Sequence, residues 1–442
     1  MALFDPRRLA QQLCNRWDHI PLLKSFPRPV PDQLARILKA AYLASLETEE
    51  GRPLKFGLIL RSSAEADEPE YGIARFGERR PLSSSEIRRL APATGLSSTF
   101  IAVESTDNGP FIWGTMDVGS EWSLFQSAEQ TSGMGLPFHL VITASAPGTI
   151  NLKFSEFLVY SVERGQSAQQ SSNVLKFGPV HEFFRPAMRQ LLKESFPGND
   201  KEIEDKHFLI SYGGEYLRFL ARTLKYAEGL GHGGTIVVLR ENSDLDVNDH
   251  LSVKYPISSF HPWDDLVRYV NRICEEIESF KLIDGKQQVE RAPLDHWTMT
   301  RRERDKLSLQ LIDRSRFLAR LTQVDGALVI TERLRVLGFG AVIKDLTAMR
   351  PTFRLCKDEL CRTFDQRERE AYGTRHRSAI SLCEQMDCTA FVLSQDGGVK
   401  AFRREGDQVL LWPSVSLDPA AWFVTAEDVI PQLRESYLNR DV

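Results

Sequence analysis

Apolar residues recur along the chain in two patterns, one typical of helices and one typical of short strands. Within the first 165 residues, a helical pattern at about 31–47 precedes five short runs rich in β-branched or aromatic residues. These runs lie at 56–60, 100–103, 111–113, 139–142 and 157–160, and Gly, Pro, Asn or Ser bounds them. Their imperfect alternation predicts strands with helices on at least one face.

The rest of the chain predicts more helix, followed by a further sheet. Helical patterns lie at about 181–195, 202–228, 262–283 and 299–321, and strand patterns at about 235–239, 325–331, 334–343, 389–394, 398–403 and 408–412. Polar stretches at 165–172 and 284–288 indicate linkers. We therefore predict an α/β chain in three parts. These are an N-terminal α/β domain with a sensor role at 1–165, a helix-rich α/β part at 166–295, and a mixed sheet flanked by helices at 296–442.

Composition narrows the class of protein. The 442 residues are 42% hydrophobic and 26% charged, which indicates a globular protein of several domains. The formal net charge is −4, so a nucleic-acid partner is unlikely on the basis of charge. No run approaches the roughly 18 apolar residues of a membrane span. Residues 1–17 form an amphipathic pattern without the apolar core of a signal peptide, so we expect a cytoplasmic protein without a membrane anchor.

Six cysteines are too few for a dense disulfide framework in a chain of this length. Four of them form two C-x4-C pairs, Cys356 with Cys361 and Cys383 with Cys388. This spacing is unlike the usual zinc knuckle, so buried free thiols are favoured over a structural metal.

The candidate chemistry begins with Gly373-Thr374-Arg375-His376-Arg377, which precedes a helix predicted at about 378–386. Free amides at a helix N-terminus favour anions, and two arginines and a histidine there are suited to phosphates. Thr374 is the predicted N-cap, and Gly373 eases the turn into the helix.

A second motif, Asp325-Gly326-Ala327, stands about fifty residues upstream and opens an apolar strand. Asp325 alone is more often a turn residue, and a basic helix start alone is more often solvated. Together within one α/β unit they favour a nucleotide site. The glycine-rich run at 231–234 precedes a strand instead of following one, so a tight turn is favoured there over a phosphate loop.

These motifs, with Gly338 between them and Ser394 after them, resemble the diadenylate cyclase (DAC) domain found in the DNA-integrity scanning protein and in membrane-bound cyclic di-AMP synthases. The resemblance covers about residues 300–415. It implies that Asp325 holds Mg²⁺ or Mn²⁺ and that Arg375, His376 and Arg377 act on the triphosphate of ATP. It implies nucleotide contacts for Gly326, Ala327, Gly338, Gly373, Thr374 and Ser394.

The resemblance further implies that two ATP molecules yield cyclic di-AMP and two pyrophosphates. Each chain has one copy of each motif, so two copies must face each other in a homodimer or a higher homo-oligomer. Two departures keep an alternative open. The family's Leu-Pro-Leu turn is absent after Gly338, and Gln395 stands where a glutamate usually follows the serine. The alternative is a nucleotide-binding sensor without catalysis.

Overall fold

A computed structural model gives the fold of most of the chain. It describes residues 4–17, 28–65, 71–96, 98–106, 108–119, 139–154, 157–163, 165–167, 172–198, 209–241, 249–283, 291–344, 350–394 and 398–417. The chain divides into two compact units, Met1–Gln170 and Ser171–Leu417, called unit 1 and unit 2 below. Each unit is built around a mixed sheet with helices against it, which confirms the predicted α/β class.

Unit 1 contains an eight-stranded sheet in the order β10-β9-β8-β7-β3-β5-β6-β4. Its helices are α1 (Pro6–Arg16), α2 (Pro31–Ser45) and α3 (Ser84–Leu90). Its strands are β1 (Thr48–Glu49), β2 (Arg52–Pro53), β3 (Phe56–Leu60), β4 (Gly72–Pro81), β5 (Thr99–Thr106), β6 (Gly109–Asp117), β7 (Leu140–Ala146), β8 (Thr149–Phe154), β9 (Phe157–Glu163) and β10 (Gln166–Ser167). The buried faces of α1 and α2 pack on one side of the sheet, as their apolar periodicity requires.

Unit 2 contains the sheet that carries both motifs. Its helices are α4 (Gly178–Ser195), α5 (Gly214–Gly229), α6 (Pro262–Ile283), α7 (Arg291–Leu321) and α8 (Thr374–Gln385). Its strands are β11 (Gly234–Leu239), β12 (Leu251–Ser252), β13 (Tyr255–Pro256), β14 (Ala327–Thr331), β15 (Val336–Ile343), β16 (Thr352–Cys356), β17 (Phe364–Glu368), β18 (Cys388–Leu393), β19 (Val399–Glu405) and β20 (Gln408–Trp412). The order is β12-β15-β14-β11-β18-β19-β20-β16-β17, with β13 also beside β15.

The sequence prediction placed a domain boundary between residues 295 and 296, but the sheet of unit 2 extends across this boundary. β11 lies between β14, to which it is parallel, and β18, to which it is antiparallel. Residues before 296 therefore supply a central strand of the sheet, and all six of its residues are buried. The predicted linker at 284–288 lies outside the described residues.

One edge of this sheet, called the site edge, collects the ends of three strands. Gly234 at the start of β11 pairs with Leu393 at the end of β18, and Thr235 pairs with Ala327 at the start of β14. α8 precedes β18 by a turn of two residues and packs on the sheet, so it runs back against the strand. A helix of 12 residues and a strand of 6 have similar lengths, about 18–20 Å, so α8 also begins at the site edge.

Candidate functional site

The first motif forms the loop that leads into β14 at the site edge. Asp325 is exposed and makes no hydrogen bond or ion pair with another described residue. Gly326 has φ +117°, and a Cβ there would lie 2.5 Å from the carbonyl carbon of Gly340. Backbone packing against β15 therefore requires this glycine. Ala327 is buried in the core beneath α8, so only its backbone faces the site edge.

The second motif begins α8, but not at the predicted residue. Gly373 is the N-cap and Thr374 is the first helical residue, so the helix starts four residues before the predicted Ser378 and the prediction of Thr374 as N-cap was wrong. The glycine has φ −65° and ψ 165°, which other residues also adopt. A Cβ at this position would meet nothing within 4 Å, so the space beside the helix start is open and no contact requires glycine here.

Among the described residues, no side chain caps this helix start. The amides of its first turn have no acceptor within the helix. Arg375 is exposed, and the Arg377 guanidinium donates to Glu370 Oε2 at 3.0 Å. Arg375, His376 and Arg377 are called the phosphate cluster below.

His376 is the half-buried member of the phosphate cluster. Its ring packs between Tyr372 and Phe402, with centroid distances of 5.8 and 5.9 Å. Burial, with the nearby charges of Lys400 and Arg375, lowers the pKa of His376 from 6.5 to about 4. The ring is therefore neutral at pH 7. Its buried Nε2 has no hydrogen-bond partner among the described residues.

A buried arginine fixes the position of α8. Arg369 pairs with Glu384 at 3.5 Å, donates to the carbonyl of Arg377 at 3.3 Å, and also donates to Ser381 Oγ. The side chains of Arg369 and Glu384 are 10% and 6% exposed, so the pair lies inside the unit. The sequence prediction did not include Arg369, because an arginine four residues before the motif gives no local signal of burial.

Ser394 directly follows β18 at the same edge. Its amide donates to the carbonyl of Gly398 at 3.1 Å, and the Gly398 amide donates to Glu228 Oε1 at 2.9 Å. α5 therefore holds the hairpin that follows the serine. The predicted departure at Gln395 lies outside the described residues.

Gly338 lies in β15, on the far side of β14 from β11. A Cβ there would lie 2.4 Å from the carbonyl oxygen of Tyr255, so the glycine lets β13 approach β15. The pairing of β14 with β15 shifts register on both sides of Val329, which marks β-bulges next to the Asp325 loop.

Topology thus brings Asp325, Gly326, Ser394 and the phosphate cluster to one sheet edge. The sequence prediction missed Lys400 and Glu228, whose contacts depend on tertiary structure. No group of three or more His, Cys, Asp or Glu side chains suited to a metal occurs among the described residues.

The cysteines only partly follow the prediction of free thiols. Cys356 and Cys361 form a disulfide, because the turn after β16 brings their Cα atoms to 4.8 Å. The prediction was wrong for this pair. Cys383 and Cys388 are buried and unbonded, with sulfurs 3.6 Å apart.

None of the helices in the described part of the chain is both long enough and apolar enough to cross a membrane.

Comparisons with known proteins agree with this geometry. Residues 222–407 match the family described as "DisA bacterial checkpoint controller nucleotide-binding", and residues 24–117 match the family described as "Probable sensor domain DACNV". The first match includes β11, both motifs and α8. A comparison with curated proteins found no match. The chain therefore carries a region that matches the DAC nucleotide-binding family, preceded by a region that matches the probable DACNV sensor domain.

Proposed function

We propose that this protein is a diadenylate cyclase that condenses two ATP into cyclic di-AMP and two pyrophosphates, and that its N-terminal region regulates it. The observation that carries the proposal is the meeting of Asp325 with the phosphate cluster at one sheet edge. The two motifs are about fifty residues apart in the chain. A carboxylate beside a cationic helix start is the arrangement that a triphosphate and a divalent ion require.

The helix start would hold the phosphates that leave as pyrophosphate. The first-turn amides of α8 have no acceptor within the helix, and a Cβ on Gly373 would meet nothing within 4 Å, so the space beside the helix start is open. The exposed Arg375 guanidinium can form two parallel hydrogen bonds with phosphate oxygens. Arg377 would exchange its surface partner Glu370 for a phosphate. Fixed positive charge of this kind stabilises the transition state of phosphoryl transfer.

Asp325 fits a divalent cation. Its carboxylate is exposed and unpaired among the described residues, and Mg²⁺ is commonly held by one or two carboxylates together with substrate phosphates. When bound there, Mg²⁺ or Mn²⁺ would draw charge from the phosphates of the nucleotide.

The reaction sets a requirement for two copies of the chain. The ribose 3′-hydroxyl of each ATP loses its proton and forms a bond to the α-phosphorus of the other ATP, and the bond from each α-phosphorus to its pyrophosphate breaks. Each chain offers one Asp325 and one phosphate cluster, so two site edges must face each other. The exposure of Asp325 and Arg375 is compatible with such a face.

The test is product analysis. Purified protein with ATP and Mg²⁺ or Mn²⁺ should release pyrophosphate and form cyclic di-AMP, detected by mass spectrometry, with specific activity rising with protein concentration. Asp325→Asn should abolish the product. Asp313→Asn is the matched control, because that exposed carboxylate lies on α7 and pairs with Arg316. ATP binding without any dinucleotide under either metal would contradict catalysis and leave a nucleotide sensor.

A further inference from the structure

The last strand in the order of the unit 2 sheet, β17, has a neighbouring strand on one side only. It pairs with β16, and four of its five residues are exposed. Backbone amides and carbonyls on the open side of such a strand can pair with another extended strand. The open side of β17 is therefore a candidate interaction surface, called the β17 edge below.

The β17 edge presents the backbone groups of every second residue. In an antiparallel ladder, successive residues direct their amide and carbonyl alternately toward the neighbouring strand and away from it. The Lys357 amide donates to the Thr363 carbonyl, and the Arg369 amide donates to the Pro351 carbonyl, each at 2.9 Å. Odd-numbered residues of β17 therefore bond inward to β16. The backbone groups that face outward, with no bond to another described residue, belong to Phe364, Gln366 and Glu368.

The turn before β17 holds this edge in place. A disulfide between Cys356 and Cys361 lies within it. The Asp358 carboxylate accepts a hydrogen bond from the Arg362 amide at 3.0 Å and one from the Thr363 amide at 2.7 Å. A strand that is already ordered loses less conformational entropy when a partner strand pairs with it.

The order of charges along β17 decides which strand can pair with its edge. Charged side chains on an edge strand usually oppose pairing. If two copies of β17 pair antiparallel with Gln366 opposite Gln366, however, Asp365 of each copy lies opposite Arg367 of the other. A shift by two residues, the smallest that keeps the outward groups paired, puts Asp365 opposite Asp365 or Arg367 opposite Arg367. Opposite charges in facing positions stabilise a strand pair and like charges destabilise it, so one register of self-pairing is favoured.

The ends of the strand are complementary in the same register. Phe364 would lie opposite Glu368 of the second copy. The Arg354 guanidinium lies 4.5 Å from the centroid of the Phe364 ring. The carboxylate of the second copy would therefore lie beside a positive charge, which favours the pair.

We propose that the β17 edge pairs with the β17 edge of a second copy of this chain, about a two-fold axis at Gln366. Each facing pair of outward residues then exchanges two backbone hydrogen bonds. The interface goes beyond the proposed function because it is separate from the site edge. The strands β17, β16, β20 and β19 lie between the axis and β18 in each copy, so the two β18 strands are about nine strand spacings, or about 43 Å, apart. Copies joined in this way need another surface to bring two site edges together.

Disulfide cross-linking tests the register. Facing residues that exchange hydrogen bonds have Cα atoms about 5.5 Å apart, which is within the range of a disulfide. The full chain with Gln366→Cys, oxidised with copper phenanthroline, should give a dimer linked through residue 366, detected on a non-reducing gel and by peptide mass spectrometry. Glu368→Cys is the matched control, since Glu368 is an exposed residue of the same strand that would face Phe364 and not itself. It should stay unlinked.

Reversal of charge tests the pairing without a cross-link. Asp365→Lys should weaken self-association about 10-fold in analytical ultracentrifugation, because both facing charge pairs become repulsive. Adding Arg367→Asp to this variant restores opposite charges and should restore the association. Asp407→Lys is the control, since Asp407 is an exposed carboxylate that pairs with Arg350 at 2.7 Å, and it should leave the association unchanged.

The outcomes decide for or against self-pairing. A dimer linked at residue 366, with Glu368→Cys unlinked, supports it. Equal linking of the two cysteine variants, or association that Asp365→Lys does not weaken, would overturn it. Absence of linking in both variants would overturn it as well, in favour of an extended segment of another protein as the partner of this edge. None of these measurements depends on ATP turnover, so failure of the proposed cyclase activity is recognised separately.

Discussion

Replacing Arg369 with methionine should destabilise unit 2 by about 3 kcal/mol, because it removes the cationic member of a buried ion pair with Glu384. Loss of one member of a buried ion pair typically costs about 3–5 kcal/mol. The nitrogen–oxygen distance to Glu384 is 3.5 Å, which is long for such a pair and places the expected cost at the low end. The variant also removes the hydrogen bonds to the Arg377 carbonyl and to Ser381 Oγ. Because these bonds fix the start of α8, ATP affinity should fall as well.

Urea denaturation with a double-mutant comparison measures this cost. Arg367→Met is the control, since Arg367 pairs with Asp365 on the surface, where the side chains are 50% and 38% exposed and a pair contributes at most about 1 kcal/mol. Adding Glu384→Gln to Arg369→Met should recover about 1 kcal/mol of unfolding free energy, because the buried carboxylate charge that lost its arginine partner is removed. The reasoning is refuted if Arg369→Met costs no more than Arg367→Met.

Two further predictions follow from close packing and from burial. Gly326→Ala should destabilise unit 2 by about 3 kcal/mol in thermal unfolding, because the new Cβ would lie 2.5 Å from the backbone of Gly340. The control is Gly229→Ala, whose new Cβ would meet nothing within 4 Å. It should change the stability by less than about 1 kcal/mol. Equal effects of the two would contradict the packing argument. Because the pKa of His376 falls from 6.5 to about 4 on folding, unfolded chains bind more protons between these values, and stability is lost as pH falls through this window. Relative to His376→Gln, wild-type protein should lose about 1–2 kcal/mol of unfolding free energy between pH 7 and 4.5, a figure reduced for the partial solvent exposure of the ring. A difference in unfolding free energy between the two proteins that does not change with pH would refute the argument.

The sequence predicted the strands around the motifs well because each is a short apolar run bounded by turn residues. β14 and β18, for example, are buried along their whole length and contain no charged residue. The paired motifs also suffice to predict a nucleotide site, since a carboxylate and a cationic helix start are local features.

Long-range contacts account for what was missed. β11 reads as an isolated strand, and only its pairing with β14 and β18 shows that it belongs to the same sheet. The helix start moved from Ser378 to Thr374 because Gly373 serves as the N-cap. Arginines and a histidine within the first turn had masked that boundary.

A crystal structure of the protein with 3′-deoxy-ATP and Mg²⁺ tests the central claim most directly. The account predicts one nucleotide per chain, with its terminal phosphates on the first-turn amides of α8 and Arg375, and a metal ion on Asp325. It also predicts two site edges facing each other across a symmetry axis. Nucleotide density away from the site edge, or a triphosphate that contacts the phosphate cluster while Asp325 points elsewhere without a metal, would contradict it.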